Sequence, residues 1–85
     1  MYRIVVKPSA ARELKKLPRI IATAIAKKID GLADNPRPEG CKKLVGNKED
    51  LWRVRVGNYR VLYAIDDTIR IVDIHHIGNR RDIYR

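Results

Sequence analysis

The sequence of 85 residues is long enough for one small domain, and it is strongly basic. Lys and Arg number 19 against 10 Asp and Glu, the net charge is +9, and 45% of the residues are hydrophobic. These values predict a single folded domain over residues 1–85 whose partner is a polyanion, and they argue against a disordered basic tail. The one cysteine, Cys41, excludes an internal disulfide and a Cys-based zinc site. Without a run of about 18 apolar residues, we expect no membrane span and a cytoplasmic location.

The first half of the chain predicts one strand followed by a helical hairpin. Residues 2–7 alternate between apolar and polar, as in a half-buried strand. Ser9 follows this strand and is expected to cap a first helix over residues 10–17. Apolar residues at three- and four-residue steps predict a second helix over residues 18–34. Prolines and a glycine make residues 35–40 a turn-rich connector.

The second half predicts an antiparallel sheet. Residues 51–56 and 59–65 flank Gly57-Asn58, a two-residue signal for a β-hairpin. Residues 42–45 and 69–77 are the other candidate strands. The order of elements predicts an α+β fold, in which an N-terminal strand and a helical hairpin precede an antiparallel-rich sheet that packs against the helices. A glycine-rich turn inside a βαβ unit is missing, which argues against a nucleotide-binding Rossmann fold.

The Gly57-Asn58 hairpin fixes which side chains share a face. Its register places Arg55 opposite Arg60, and alternation along the strand puts Arg53 on the same side. The opposite side is then apolar and is expected to form the core: Trp52, Val54, Val56, Tyr59, Val61, Tyr63 and Ile65. Like charges directly opposite each other destabilise a sheet, so the three arginines favour an anion-binding role over a merely solvated face. Such a cluster can bind phosphate oxygens and stabilise charge that develops on a reacting phosphate.

The next turn and the histidines carry further expectations. If Asp66 and Asp67 form a two-residue loop, Arg60 also faces Asp73, and the resulting ion pair would orient the guanidinium. His75 and His76 are neighbours on a strand, so at most one of them is expected on the arginine side. A paired metal site is therefore not expected.

The residue types limit the chemistry that is available. A cluster of carboxylates for Mg²⁺ and a phosphate-binding loop are both missing, which argues against two-metal phosphodiester hydrolysis and NTP hydrolysis. Cleavage of RNA without a metal or another cofactor remains, because the ribose 2′-OH supplies the nucleophile. Arginine suits charge stabilisation in such a reaction but transfers protons poorly, since its pKa lies above about 12.

Two stretches of the chain resemble a known family. The sequences LWRVRVGNYRVLY at 51–63 and IGNRRDIYR at 77–85 resemble the RelE/ParE superfamily of bacterial and archaeal toxins. The first half is similar as well, through ARELKKLP at 11–18, NPRP at 35–38 and KLVG at 43–46. The resemblance therefore covers nearly the whole chain and implies the RelE-like fold.

The resemblance implies a function for the cationic residues. RelE-like toxins are mRNA interferases that enter the ribosomal A site and cut mRNA by 2′-OH attack, leaving a 2′,3′-cyclic phosphate. The ribosome holds the RNA in line for that attack. The matching positions imply these catalytic residues: Arg53, Arg55, Arg60, Arg80 and Tyr84. We also expect RNA binding by Lys42, Lys43 and Arg81.

The family pattern leaves the proton acceptor open. Arg53 and Arg55 stand where some RelE-like members carry lysine, and Asn79 stands where many relatives carry histidine. The general base could therefore be His75, His76 or Tyr84.

The resemblance also implies partners and an alternative. A cognate antitoxin is expected to bind the toxin as a hetero-oligomer, and the ribosome and mRNA are the expected targets. The runner-up is a ParE-like toxin, which has the same fold but inhibits DNA gyrase and cuts no RNA. A third possibility is a ribosome- or RNA-binding module without catalysis.

Overall fold

A computed structural model describes residues 1–46 and 48–79 of the chain. It contains two helices and a five-stranded sheet with the strand order β1-β5-β4-β3-β2. The elements are β1 (Arg3–Val6), α1 (Pro8–Lys15), α2 (Arg19–Leu32), β2 (Lys42–Lys43), β3 (Trp52–Val56), β4 (Tyr59–Asp66) and β5 (Ile71–Asn79). β1 runs parallel to β5, and the other neighbouring strands are antiparallel. The predicted α+β class is confirmed, and neither described helix is long and apolar enough to cross a membrane.

The first helix begins earlier than the sequence pattern indicates. Pro8 occupies its first turn and Lys7 is the N-cap residue, with no capping bond from a side chain. The Lys7 carbonyl accepts a hydrogen bond from the Ala11 N–H at 2.9 Å. The prediction that Ser9 caps this helix is therefore wrong. Proline has no N–H to satisfy and its φ is already helical, so it starts the helix one residue before the serine.

The central hairpin has the predicted register. Arg55 pairs with Arg60, and the flanking pairs of β3 and β4 follow in step from Val56–Tyr59 to Trp52–Tyr63. Gly57, the first of the two loop residues, has a φ of 59°. A type II′ turn requires this left-handed value at its first central position, where glycine adopts it without steric strain.

The core lies between the helices and one face of the sheet. Ala10 of α1 and three residues of α2 pack against the inner face of β3, β4 and β5. The fully buried side chains of that face are Val61, Tyr63, Val72, Ile74 and Ile77, each no more than 1% exposed. The helices therefore cover the apolar side of the hairpin, and the arginine side is the outer face of the sheet.

The second hairpin departs from the prediction. Asp66 pairs with Ile71, so residues 67–70 form a four-residue connection in place of the expected two-residue loop. The Asp66 carboxylate holds this turn by accepting hydrogen bonds from the N–H groups of Thr68 and Ile69. The longer turn shifts the register, so Arg60 faces Gly78 and Asp73 faces Ala64. The predicted pair between Arg60 and Asp73 is therefore wrong.

One polar cluster ties the connector after α2 to the β4–β5 turn. Arg37 donates two hydrogen bonds to Asp67, at 2.8 and 3.2 Å, and its guanidinium lies 5.0 Å from the centre of the Trp52 ring. Tyr2 donates to the same carboxylate at 2.6 Å. These hydrogen bonds, from Arg37 first and then Tyr2, lower the pKa of Asp67 from 3.8 to about 2. The cluster joins three segments that are distant in sequence.

The Asp67 cluster predicts a specific acid sensitivity. Because the folded protein depresses the pKa of Asp67, its contribution to stability is present above pH 3.8 and is lost as the pH falls through about 2. We expect the free energy of unfolding, from urea denaturation at pH 2 to 6, to fall less steeply with acid in Asp67→Asn than in the wild type. Asp34→Asn, which removes an exposed carboxylate, should keep the wild-type slope. Equal slopes for all three proteins would contradict this account.

Candidate active site

Three arginines lie together on the outer face of the central hairpin. We call the outer side of β3 and β4 that carries Arg53, Arg55 and Arg60 the arginine face. Arg55 and Arg60 are direct cross-strand partners, and Arg53 lies one side-chain step along β3. Their exposure is graded: Arg55 is exposed, Arg53 is half-buried, and Arg60 is only 4% exposed. The predicted clustering of these arginines therefore matches the geometry.

The buried guanidinium groups are suited to a bound anion. Arg53 Nε is buried and has no hydrogen-bond partner among the described residues. A buried donor without a partner is costly, and such groups occur where a ligand completes the site. Arginine keeps its charge when it is partly desolvated, so partial burial strengthens its attraction for a phosphate.

The two lysines that were predicted to bind RNA lie on opposite faces. Lys42 pairs with Arg53 and extends the arginine face onto β2. Lys43 points to the other side, where Lys43 Nζ lies 2.8 Å from Asp50 Oδ1 and 5.9 Å from the centre of the Trp52 ring. The structure thus brings Lys42 to the arginines and leaves Lys43 away from them. Arg80, Arg81 and Tyr84 lie outside the described residues.

An open cavity adjoins the arginine face at the edge of β3. Its volume is about 300 Å³, and its lining includes residues from α2, the connector, β2 and β3: Lys28, Glu39, Gly40, Lys42, Arg53, Val54 and Arg55. Four of these side chains are cationic and one is anionic. The cationic surface therefore continues around the edge of the sheet.

A β-bulge places both histidines on the outer face. Tyr63 pairs with Ile74, but the preceding Leu62 pairs with His76, so His75 is an extra residue in β5. Ile74 and Ile77 are both buried in the core, and the two residues between them lie on the other side. The expectation that the histidines point to opposite faces is therefore wrong, because the bulge interrupts strict alternation.

Two glutamates that sequence reasoning missed support this part of the site. Glu49 Oε2 lies 2.6 Å from His75 Nδ1, so the β2–β3 connection reaches across the outer face to β5. Glu13 of α1 accepts a hydrogen bond from the Ile77 N–H at 3.1 Å, just after the bulge. Both contacts join residues that are distant in sequence, so no local sequence motif predicts them.

The described residues show no arrangement for a metal ion. Across residues 1–46 and 48–79, no group of three or more His, Cys, Asp or Glu side chains is placed to hold one. The chemistry that these residues offer is anion binding by guanidinium groups, with imidazole rings beside them.

Comparisons with known proteins identify the family. The family model described as the ParE toxin of the type II toxin–antitoxin system parDE matches residues 4–84. Toxin RelE of Mycobacterium tuberculosis is 42% identical over 85 residues, which cover 99% of this chain and 87% of that protein. This chain belongs to the RelE/ParE family of type II toxins.

Solved structures support the same fold for this toxin. The toxin–antitoxin complex RelBE2 of Mycobacterium tuberculosis contains a chain with a TM-score of 0.82 and 31% identity, covering 93% of this chain and 98% of that one. The archaeal RelE–RelB complex of Pyrococcus horikoshii OT3 contains one with a TM-score of 0.81 and 28% identity, covering 93% and 94%. The predicted RelE-like fold of the toxin is confirmed.

The cross-strand arginine pair predicts a trade of stability for function. We expect Arg55→Gln to raise the free energy of unfolding of the isolated toxin by about 0.5 kcal/mol at low salt, because it removes a like charge opposite Arg60. The gain should shrink at about 1 M salt, where charges are screened. Urea denaturation at several salt concentrations measures both effects. Lys27→Gln, on the exposed side of α2, is the matched control and should show neither.

Proposed function

We propose that this toxin is a ribosome-dependent, metal-independent endoribonuclease that cleaves mRNA by 2′-OH attack and so inhibits translation. The observation that carries the proposal is the pairing of Arg55 with buried Arg60, one step from Arg53, on a face that the helices leave uncovered. Toxins of this family with the name RelE are similar over nearly the whole chain. The proposed site of action is the cytoplasm.

The arginine face fits the electrostatic demand of the reaction. When the 2′-oxygen attacks phosphorus, the phosphoryl group acquires additional negative charge in the transition state. Guanidinium groups that are already positioned on adjacent strands stabilise this charge without reorganising. Arg60 is buried in the sheet and Arg55 is exposed beside it. We expect Arg60 to bind the phosphate at the sheet surface and Arg55 to contact it from the solvent side.

The surrounding cations extend this surface for a longer anion. Lys42 continues the arginine face on β2, and the lining of the cavity at the edge of β3 includes Lys28. A strand of RNA laid across Arg60 and Arg55 would meet further positive charge in that direction. The proposed dependence on the ribosome follows from the chemistry: a small basic surface binds RNA, but in-line alignment of the 2′-oxygen requires the RNA to be held.

We further propose that a cognate antitoxin neutralises the toxin as a hetero-oligomer. The complexes from Mycobacterium tuberculosis and Pyrococcus horikoshii described above are toxin–antitoxin complexes. A chain with a net charge of +9 suits an acidic partner chain. Arg80, Tyr84 and Arg81 remain candidates for catalysis and RNA binding, as the family resemblance implies.

A second function competes with cleavage. The family model that matches residues 4–84 describes a ParE toxin, which favours inhibition of DNA gyrase without any nuclease activity. The two proposals differ in their target and in what the arginine face does. A nuclease needs Arg60 for catalysis on RNA, whereas a gyrase inhibitor does not.

Arg60→Ala tests the nuclease proposal. We expect it to lower the single-turnover rate of mRNA cleavage on programmed ribosomes by about 10²–10³-fold, the usual effect of removing one preorganised donor of this kind. The matched control is Arg12→Ala, which removes an exposed arginine of α1 on the opposite side of the molecule. This control should change the rate less than threefold. Circular dichroism and binding to the antitoxin check that both variants fold.

The outcomes separate the alternatives. Loss of cleavage in Arg60→Ala alone supports the nuclease. Intact mRNA with the wild-type toxin, together with loss of gyrase supercoiling activity, would establish the ParE-like alternative. Ribosome binding without an effect on either target would leave a binding module.

A further inference from the structure

The bulge in β5 gives the two adjacent histidines different surroundings on the same face. His75, the extra residue, lies between two carboxylates: Nδ1 is 2.6 Å from Glu49 Oε2 and Nε2 is 3.4 Å from Asp73 Oδ2. Its side chain is 12% exposed, and Lys7 Nζ lies 3.7 Å from the same Asp73 oxygen. Both ring nitrogens of His75 are therefore engaged, and this imidazole is poorly placed to meet a substrate.

His76 is open to solvent beside the arginine face. Its cross-strand partner is Leu62, whose other partner is Arg53, so the three residues form one row across β5, β4 and β3. Gly78, two residues further along β5, is the partner of Arg60. His76 is thus the diagonal neighbour of Arg60, at the spacing of about 7–8 Å that such positions have in a sheet. The imidazole ring of His76 is exposed, and it lies 6.4 Å from that of His75.

The proposed reaction lacks one component on the arginine face. Arginines stabilise the charge of the transition state, but they do not accept a proton near neutral pH. The 2′-OH must lose its proton as it attacks, and a positioned base speeds this step by about 10²–10⁴-fold. Histidine is the side chain whose unperturbed pKa suits this role best.

We infer that His76 is the general base of this toxin. The inference rests on the proposed nuclease function and deepens it, since it names the residue that takes the proton. In the step, the 2′-OH proton moves to the His76 imidazole while the 2′-oxygen forms a bond to phosphorus. The bond from phosphorus to the 5′-oxygen breaks, and that oxygen takes a proton from water. The products are a 2′,3′-cyclic phosphate and a 5′-OH, and His76 returns its proton to solvent.

The neighbours of His76 fit this assignment. Strand pairing places Arg53 and Arg60 of the hairpin beside His76 on the outer face, and His75 is its neighbour on β5. Of the carboxylates nearby, Glu49 and Asp73 are engaged by His75, and Glu13 of α1 accepts a hydrogen bond from the N–H of Ile77, the residue after His76. A phosphate held by Arg53 and Arg60 would therefore lie beside an imidazole that no carboxylate among residues 1–46 and 48–79 engages.

Paired histidine variants test the inference on programmed ribosomes. We expect His76→Gln to lower the single-turnover cleavage rate at least 100-fold and to change the dependence of that rate on pH. His75→Gln, the matched control, should change the rate less than tenfold and keep the wild-type pH profile. Free imidazole should restore cleavage to His76→Ala by tenfold or more, which a purely structural defect would not allow. Antitoxin binding checks that each variant folds.

The results distinguish this inference from the proposal beneath it. If His76→Gln cleaves with the wild-type rate and pH profile, the inference fails while the nuclease proposal stands. If Arg60→Ala loses activity but His75→Gln carries the pH effect, the base is the other histidine and the inference is again wrong. If the wild-type toxin leaves mRNA intact, both the proposed function and the inference about His76 are wrong.

Discussion

The register of the β3–β4 hairpin determines where the cationic groups of the outer face lie. It holds Arg55 opposite Arg60 although their charges repel, because any slip by one residue would move Val54 and Val61 out of the core. Burial of those apolar side chains outweighs the repulsion between the two arginines, because a like-charged cross-strand pair costs at most about 1 kcal/mol. The fold thus uses its core to position a concentration of charge that would not assemble by itself.

The bulge in β5 also determines which side chains lie on the outer face of the sheet. It allows Ile74 and Ile77 to remain in the core while two residues between them, in place of one, point outward. Glu13 takes the Ile77 N–H beyond the end of β1, so the helical hairpin also supports this irregular strand. The result is a face on which guanidinium and imidazole groups lie within reach of one another. In the proposed mechanism the guanidinium groups stabilise the charge of the transition state, and the imidazole accepts the 2′-OH proton.

How much could be predicted depended on whether the determinant was local. Gly57-Asn58 and the alternation of residues 52–63 are local, and they sufficed for the hairpin, its register and the arginine face. The bulge could not be predicted from the local sequence. It arises because Ile74 and Ile77 both pack in the core against helices that are distant in sequence, which leaves two residues between them instead of one. The pair between Arg60 and Asp73 was wrong because the Asp66 side chain stabilises a longer turn. Lys42 and Lys43 point in opposite directions because side chains alternate along a strand. The partner strand decides which of the two joins the arginine face, and its register is not visible in the local sequence.

A structure of the toxin on a ribosome whose A-site codon is 2′-O-methylated, so that attack is blocked, would show directly where the mRNA binds. We expect one phosphate of that codon to lie against the arginine face, within hydrogen-bond distance of at least two of the guanidinium groups of Arg53, Arg55 and Arg60. An mRNA that instead lies along α1 and α2, or that does not touch the outer face of the sheet, would contradict it.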